Sequence, residues 1–166
     1  RSGDTFTKLA NPATLPAGSS NGVSWSPDNT YLAVAHGTTP FVTIYKRSGD
    51  TFTKLANPAT LPAGSGYSTN WSPDGDYLVV GHSITPFITI YKRSGDTFTK
   101  QVDPDVLFPS GNVRGTGFNQ DTTELTSVSL TSPYRLIYDF DNGTALNKDD
   151  LVGTSTLTGC YGYTSS

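Results

Sequence analysis

The chain has no methionine, one cysteine, two histidines and two tryptophans in 166 residues, and only 15% of its residues are charged. The lone Cys160 cannot close an intrachain disulfide and has no companions at metal-ligand spacing, so no disulfide framework or zinc module is expected. Basic residues number 11 against 14 acidic ones, for a net charge of −3. They form no basic stripe of the kind that tracks phosphates, which excludes nucleic acid as a partner. No apolar run reaches the length of a membrane span and no signal-peptide pattern is present, so membrane insertion is not expected. A helical period of apolar residues is missing as well. No motif asks for a cofactor.

Thr, Ser, Gly and Pro fill the space that charge leaves, and they are arranged as a repeat. The segment RSGDTFTKLANPATLPAGS stands at Arg1–Ser19 and again at Arg47–Ser65, and RSGDTFTK returns at Arg93, a period of 46 residues. The chain divides into repeats over residues 1–46, 47–92 and 93–139 and a degenerate partial repeat over 140–166. A period of this size is the mark of units that cannot bury their own faces and stack on neighbours.

Each unit reads as four short strands. Val23-Ser24-Trp25 runs into Ser26-Pro27-Asp28-Asn29, where Pro presets φ and Asp and Asn favour a tight turn. Tyr31 to His36 gives a second strand, and Phe41 to Lys46 alternates β-branched and aromatic residues as a third. After the Ser48-Gly49-Asp50 turn, Thr51 to Leu55 is the fourth, and the Pro-rich stretch from Asn57 to Gly64 leads to the next unit. The repeated Phe6, Phe52 and Phe98, with Phe41, Phe87, Tyr45 and Tyr91, are expected to pack between units. The third unit keeps the core positions as Leu125, Pro133 and Ile137-Tyr138, with Leu146 to Leu151 as a weak outer strand and Gly159 to Tyr163 opening another inner strand.

Four antiparallel strands and one longer connection per unit describe a β-propeller blade, so the fold class is all-β. At Trp71-Ser72-Pro73-Asp74-Gly75-Asp76-Tyr77-Leu78 the sequence resembles WD40-like propeller repeats, and the likeness runs along nearly the whole chain. The Trp-Asp and Gly-His signatures of strict WD40 proteins are absent from their usual places. Dividing 166 by 46 gives about 3.6 units, an awkward number for a closed ring. The expectation is a partial ring of about three blades, completed by further sequence or by another copy of the chain.

The first two units differ at 12 of 46 positions, five of them consecutive: Ser20-Asn21-Gly22-Val23-Ser24 becomes Gly66-Tyr67-Ser68-Thr69-Asn70. Two more turn Gly37-Thr38 into Ser83-Ile84. In propellers both segments emerge on one rim beside the channel, and the third unit places Arg114 there. The candidate rim is therefore Asn21, Tyr67, Ser68, Asn70, Ile84 and Arg114, with Tyr and Arg favoured in contact surfaces. The competing explanation is that inner-strand starts are simply less constrained by packing.

Catalytic constellations are absent from the sequence. Thirteen of the fourteen carboxylates are Asp, and most recur at turn positions, where local backbone bonding explains them. His36 and His82 occupy equivalent strand ends, which suits a bond to a nearby hydroxyl or backbone group better than a metal site with so few partners. The expectation is a non-catalytic structural or adhesive module. Its style is similar to propeller segments of bacteriophage virion proteins, such as tail fibres, and of bacterial surface proteins. A virion or cell-surface location and binding of a glycan, a protein receptor or a neighbouring virion subunit are implied. Two alternatives stay open: a lyase or hydrolase with its site at the central channel, and an intracellular WD40-type scaffold.

Overall fold

The computed structural model describes Gly3, residues 5–103, 111–132 and 134–140, and the backbone of 151–152. Among these residues there is no helix, and the strands form three four-stranded antiparallel sheets. The first sheet is β1 (Ser20–Trp25), β2 (Tyr31–His36), β3 (Val42–Ser48) and β4 (Thr51–Lys54), in that order. The second is β5 (Gly66–Trp71), β6 (Tyr77–His82), β7 (Ile88–Ser94) and β8 (Thr97–Lys100). The third is β9 (Val113–Phe118), β10 (Glu124–Ser129), β11 (Arg135–Asp139) and β12 (Leu151–Val152). β12 falls at the end of the expected outer strand, pairing Leu151 with Tyr138, whereas the expected strand from Gly159 to Tyr163 lies outside the described residues.

Local chemistry sets the turns. Asp28 Oδ1 accepts bonds from the Ser26 hydroxyl and from the Thr30 amide at 3.0 Å, and Asp74 repeats this with Ser72 and Asp76. The Ser26 bond is the main reason the Asp28 carboxyl titrates below its usual range. The last turn position is left-handed, with φ 58° at Asn29 and 77° at Gly75, which is why the two units alternate Asn and Gly there.

Alternation along the strands then decides which neighbour each residue meets. Tyr31, Ala33, Val42 and Ile44 of the first sheet bury themselves against Trp71, Leu78, Val80, Tyr91 and Phe98 of the second. One residue over, Tyr77, Val79, Ile88 and Ile90 turn the opposite way, onto Val113, Leu125, Leu136 and Tyr138 of the third. A sheet with both faces covered must be apolar at both parities. The middle blade is: all six residues of β6 are buried.

Two expectations need correction. Phe6 was placed in the core with Phe52 and Phe98, but it is 84% exposed while Phe98 is 4% exposed, because Phe98 is sealed by the preceding sheet. The third unit keeps the full core on one face and only part of it on the other. Leu125 and Tyr138 face the second sheet, whereas on the opposite face Glu124, Thr126 and Arg135 stand where Tyr77, Val79 and Ile88 stood, and half-buried Ile137 alone keeps the apolar character of Ile90.

The repeat supplies its own control for packing energetics. Leu78 is fully buried, and its counterpart Leu32 is only half-buried. Leu78→Ala is expected to lower unfolding free energy by about 3 kcal/mol, through lost transfer and a residual cavity. Leu32→Ala should cost about 1 kcal/mol. Urea denaturation of the two variants checks the ordering.

Candidate functional site

The inner strands β1, β5 and β9 lie side by side. They are joined by side chains, since no backbone-to-backbone bond links two sheets among the described residues. The Ser24 hydroxyl donates to Thr69 Oγ1 at 2.9 Å, and Ser68 shares a 3.3 Å hydroxyl pair with Thr116. Asn70 Oδ1 accepts the Phe118 amide at 3.1 Å. Gly22 lets β1 come close: a Cβ there would lie 2.7 Å from the Tyr67 carbonyl oxygen.

At the start of each inner strand the pairing slips by one residue. Ser20 pairs with His36 but Gly22 with Ala35; Gly66 pairs with His82 but Ser68 with Gly81; Val113 pairs with Ser129 but Gly115 with Val128. The extra residues are Asn21, Tyr67 and Arg114. A bulge releases its residue from strict alternation and re-aims the side chain, so all three stand at one end of the sheets.

There they connect. Asn21 Nδ2 donates to the Gly66 carbonyl at 2.8 Å, and the Arg114 guanidinium lies 3.7 Å from the centre of the Tyr67 ring. A guanidinium stacked on an aromatic face is fixed in plane while its N–H groups stay available to a ligand. Arg114 is exposed, and among the described residues no carboxylate pairs with it.

The other sequence candidates sit differently. Ser68 is buried and Asn70 half-buried, and both serve as inter-sheet ties. Ile84 is 53% exposed on the β6–β7 connection at the same end as Tyr67. The two histidines are sealed, with Nε2 2.9 Å from Thr43 Oγ1 in His36 and 3.0 Å from Thr89 Oγ1 in His82. Burial is the main force pushing both imidazoles toward the neutral form, His82 down to about 4. In the third unit Ser129 and Leu136 replace this pair.

Charge is divided between the two ends. The Ser-Pro-Asp turns, their Asn-Gln-Asp counterpart in the third unit and the Gly-Asp hairpins collect Asp28, Asp50, Asp74, Asp96 and Asp121 at the end opposite the bulges. No cluster of three or more potential metal ligands occurs among the described residues. The bulge end is thus a shallow, weakly charged surface crossed by one aromatic-backed cation. The bulges were not anticipated from the sequence, although small residues beside each of the three positions were a visible sign.

No protein-family model and no curated protein sequence matches the chain. Its fold is similar to that of solved structures. A protein of Bacteroides fragilis provisionally assigned as a 6-phosphogluconolactonase superposes with TM-score 0.68 at 15% identity, over 86% of this chain and 41% of the other. One of Bacteroides uniformis with the same provisional assignment gives 0.64 at 15% identity, over 94% and 51%. A chain of a mitotic checkpoint complex gives 0.57 at 20% identity, over 74% and 36%. The present chain therefore spans about half or less of each of these proteins.

These likenesses establish the propeller-type fold and support the WD40-like resemblance at the level of architecture. They overturn the expectation of a non-catalytic virion or surface module, because the two Bacteroides neighbours carry a provisional enzyme assignment. Low charge and Thr-Ser-rich strands, the basis of that expectation, reflect how blades stack, and stacking is common to catalytic and non-catalytic propellers.

Sealed histidines have a pH signature. Above the ordinary His range His82 is neutral folded or unfolded, and the protein keeps its full stability. As pH falls from about 6.5 the unfolded chain takes up a proton that the folded site refuses, so stability drops until about pH 4, by about 3 kcal/mol for His82. Urea midpoints measured between pH 7.5 and 4.5 should show this fall, and His82→Gln should reduce it, leaving the share that comes from His36.

Proposed function

We propose that the chain is part of a propeller hydrolase of the lactonase type, in which the bulge end holds an anionic sugar-acid ester. The enzymatic reading of the Bacteroides neighbours supports the reaction class. The observation that carries the binding role is the Arg114 guanidinium held 3.7 Å over Tyr67 at the mouth of the inner strands.

In lactone hydrolysis water adds to the ring carbonyl carbon, the ring C–O bond breaks, and a carboxylate and a hydroxyl result. Negative charge builds up on the carbonyl oxygen and persists in the product. A pre-placed guanidinium with free N–H groups stabilises that charge and holds other anionic groups of the substrate. Tyr67 keeps the guanidinium in one plane, and Asn21 adds an amide whose oxygen remains open to a sugar hydroxyl. Both histidines are sealed, the recurrent aspartates stand at the opposite end, and Asp103, which follows β8, is paired with Lys100 at 2.6 Å. The role assigned to these residues is therefore binding and charge stabilisation.

Titration calorimetry with 6-phosphogluconate, the product form of such a substrate, tests the proposal. Binding should weaken as salt rises. Arg114→Ala should weaken it at least tenfold and leave the thermal midpoint unchanged, while Arg114→Lys should retain part of it. Absence of binding by the native chain, or equal binding by Arg114→Ala, rejects the reading.

A further inference from the structure

The first sheet has a face that the second sheet shows how to cover. Trp71, Leu78, Val80, Tyr91 and Phe98 are buried by the preceding blade. Forty-six positions earlier, Trp25, Leu32, Val34, Tyr45 and Phe52 repeat the same set. Leu32, Val34, Tyr45 and Phe52 line an open apolar groove of about 380 Å³. The Trp25 ring packs against Phe52 with centroids 5.7 Å apart, as Trp71 does edge-on against Phe98, yet Trp25 is 42% exposed and Trp71 5%. The Pro-rich connection follows suit: Pro58, Pro62 and Gly64 are buried, and their counterparts Pro12, Pro16 and Gly18 only half so.

The covered interface also has a polar lock at its edge. Tyr31 donates to Asp96 Oδ1 at 2.7 Å, Lys46 pairs with the same carboxylate at 2.8 Å, and Arg93 lies 5.0 Å over the Tyr31 ring. The receiving half of that lock, Asp96 and Arg93, recurs on the first sheet as Asp50 and Arg47. Arg47 there lies over Trp25 of its own sheet, at 5.7 Å.

We infer that this face seats one particular occupant, a further blade of the 46-residue type, whose Tyr-x-Ala and Val-x-Ile strands fill the groove and whose Tyr and Lys engage Arg47 and Asp50. Among the described residues, a second copy of the chain does not offer that surface. The Tyr31 and Tyr77 faces are already covered within the chain, and the third sheet presents Glu124, Thr126 and Arg135 instead. Seating is therefore directional: the first sheet accepts a consensus blade, and the third sheet does not present the face to follow one.

The test inserts a second copy of residues 20–65 between Ser19 and Ser20, giving the resident first sheet a preceding blade. The inserted copy carries Trp25→Phe and the resident chain Trp71→Phe, which leaves the resident Trp25 as the only indole. Acrylamide quenching of Trp25 should fall several-fold against the 166-residue chain bearing Trp71→Phe, and its emission should shift to the blue. An insert that also carries Tyr31→Glu and Val42→Arg, the third-sheet residues, should leave Trp25 exposed. In the extended chain Asp50→Ala of the resident sheet should lower the thermal midpoint by a few degrees, and in the 166-residue chain it should not. Trp25 still quenched in the extended chain, equal protection by both inserts, or concentration-dependent protection in the uninserted chain through self-pairing each overturns the inference.

Discussion

The structure depends on burying one sheet face against the next. No sheet has a core of its own; the buried apolar side chains on the strands of the middle blade are shielded by residues of the sheets on either side. At about 25 cal/mol per Å² of apolar surface, that contact is the main source of stability. The polar links between inner strands and the Tyr31–Lys46–Asp96 lock set the alignment of the sheets and add little beyond it. Stability and site geometry thus have one origin, since the stacking of the third sheet on the second that hides Val79 also brings Arg114 over Tyr67.

Much of this was legible in the residues. The Ser-Pro-Asp turns, the alternation in Phe41 to Lys46 and the period itself gave the strand order and the radial stacking. The bulges were not, because a slip in pairing depends on the partner strand: Tyr67 is displaced only by how Gly66 and Ser68 meet His82 and Gly81. The exposure of Phe6 and the polar face of the third sheet were missed for a related reason. A repeat shows which residues are equivalent, but a copy is buried only where a neighbour exists to bury it.

The functional correction follows the same logic. Low charge and verbatim repetition suggested an inert display module, yet these are properties of the blade faces, where selection acts on stacking. Chemistry in such a fold falls to the few positions released from the regular ladder. Asn21, Tyr67 and Arg114 are such positions, and they also vary among the three units. The variation that marks the candidate rim and the displacement seen in the geometry describe the same residues.

Because neighbouring sheets share no backbone ladder among the described residues, adding or losing a whole unit re-registers no main-chain bond. Growth by tandem copying then demands only that each new surface match the last, which permits near-identical sequence side by side. Such an architecture can lengthen quickly in evolution, and it acquires individuality afterwards, at the single displaced residue that heads each innermost strand.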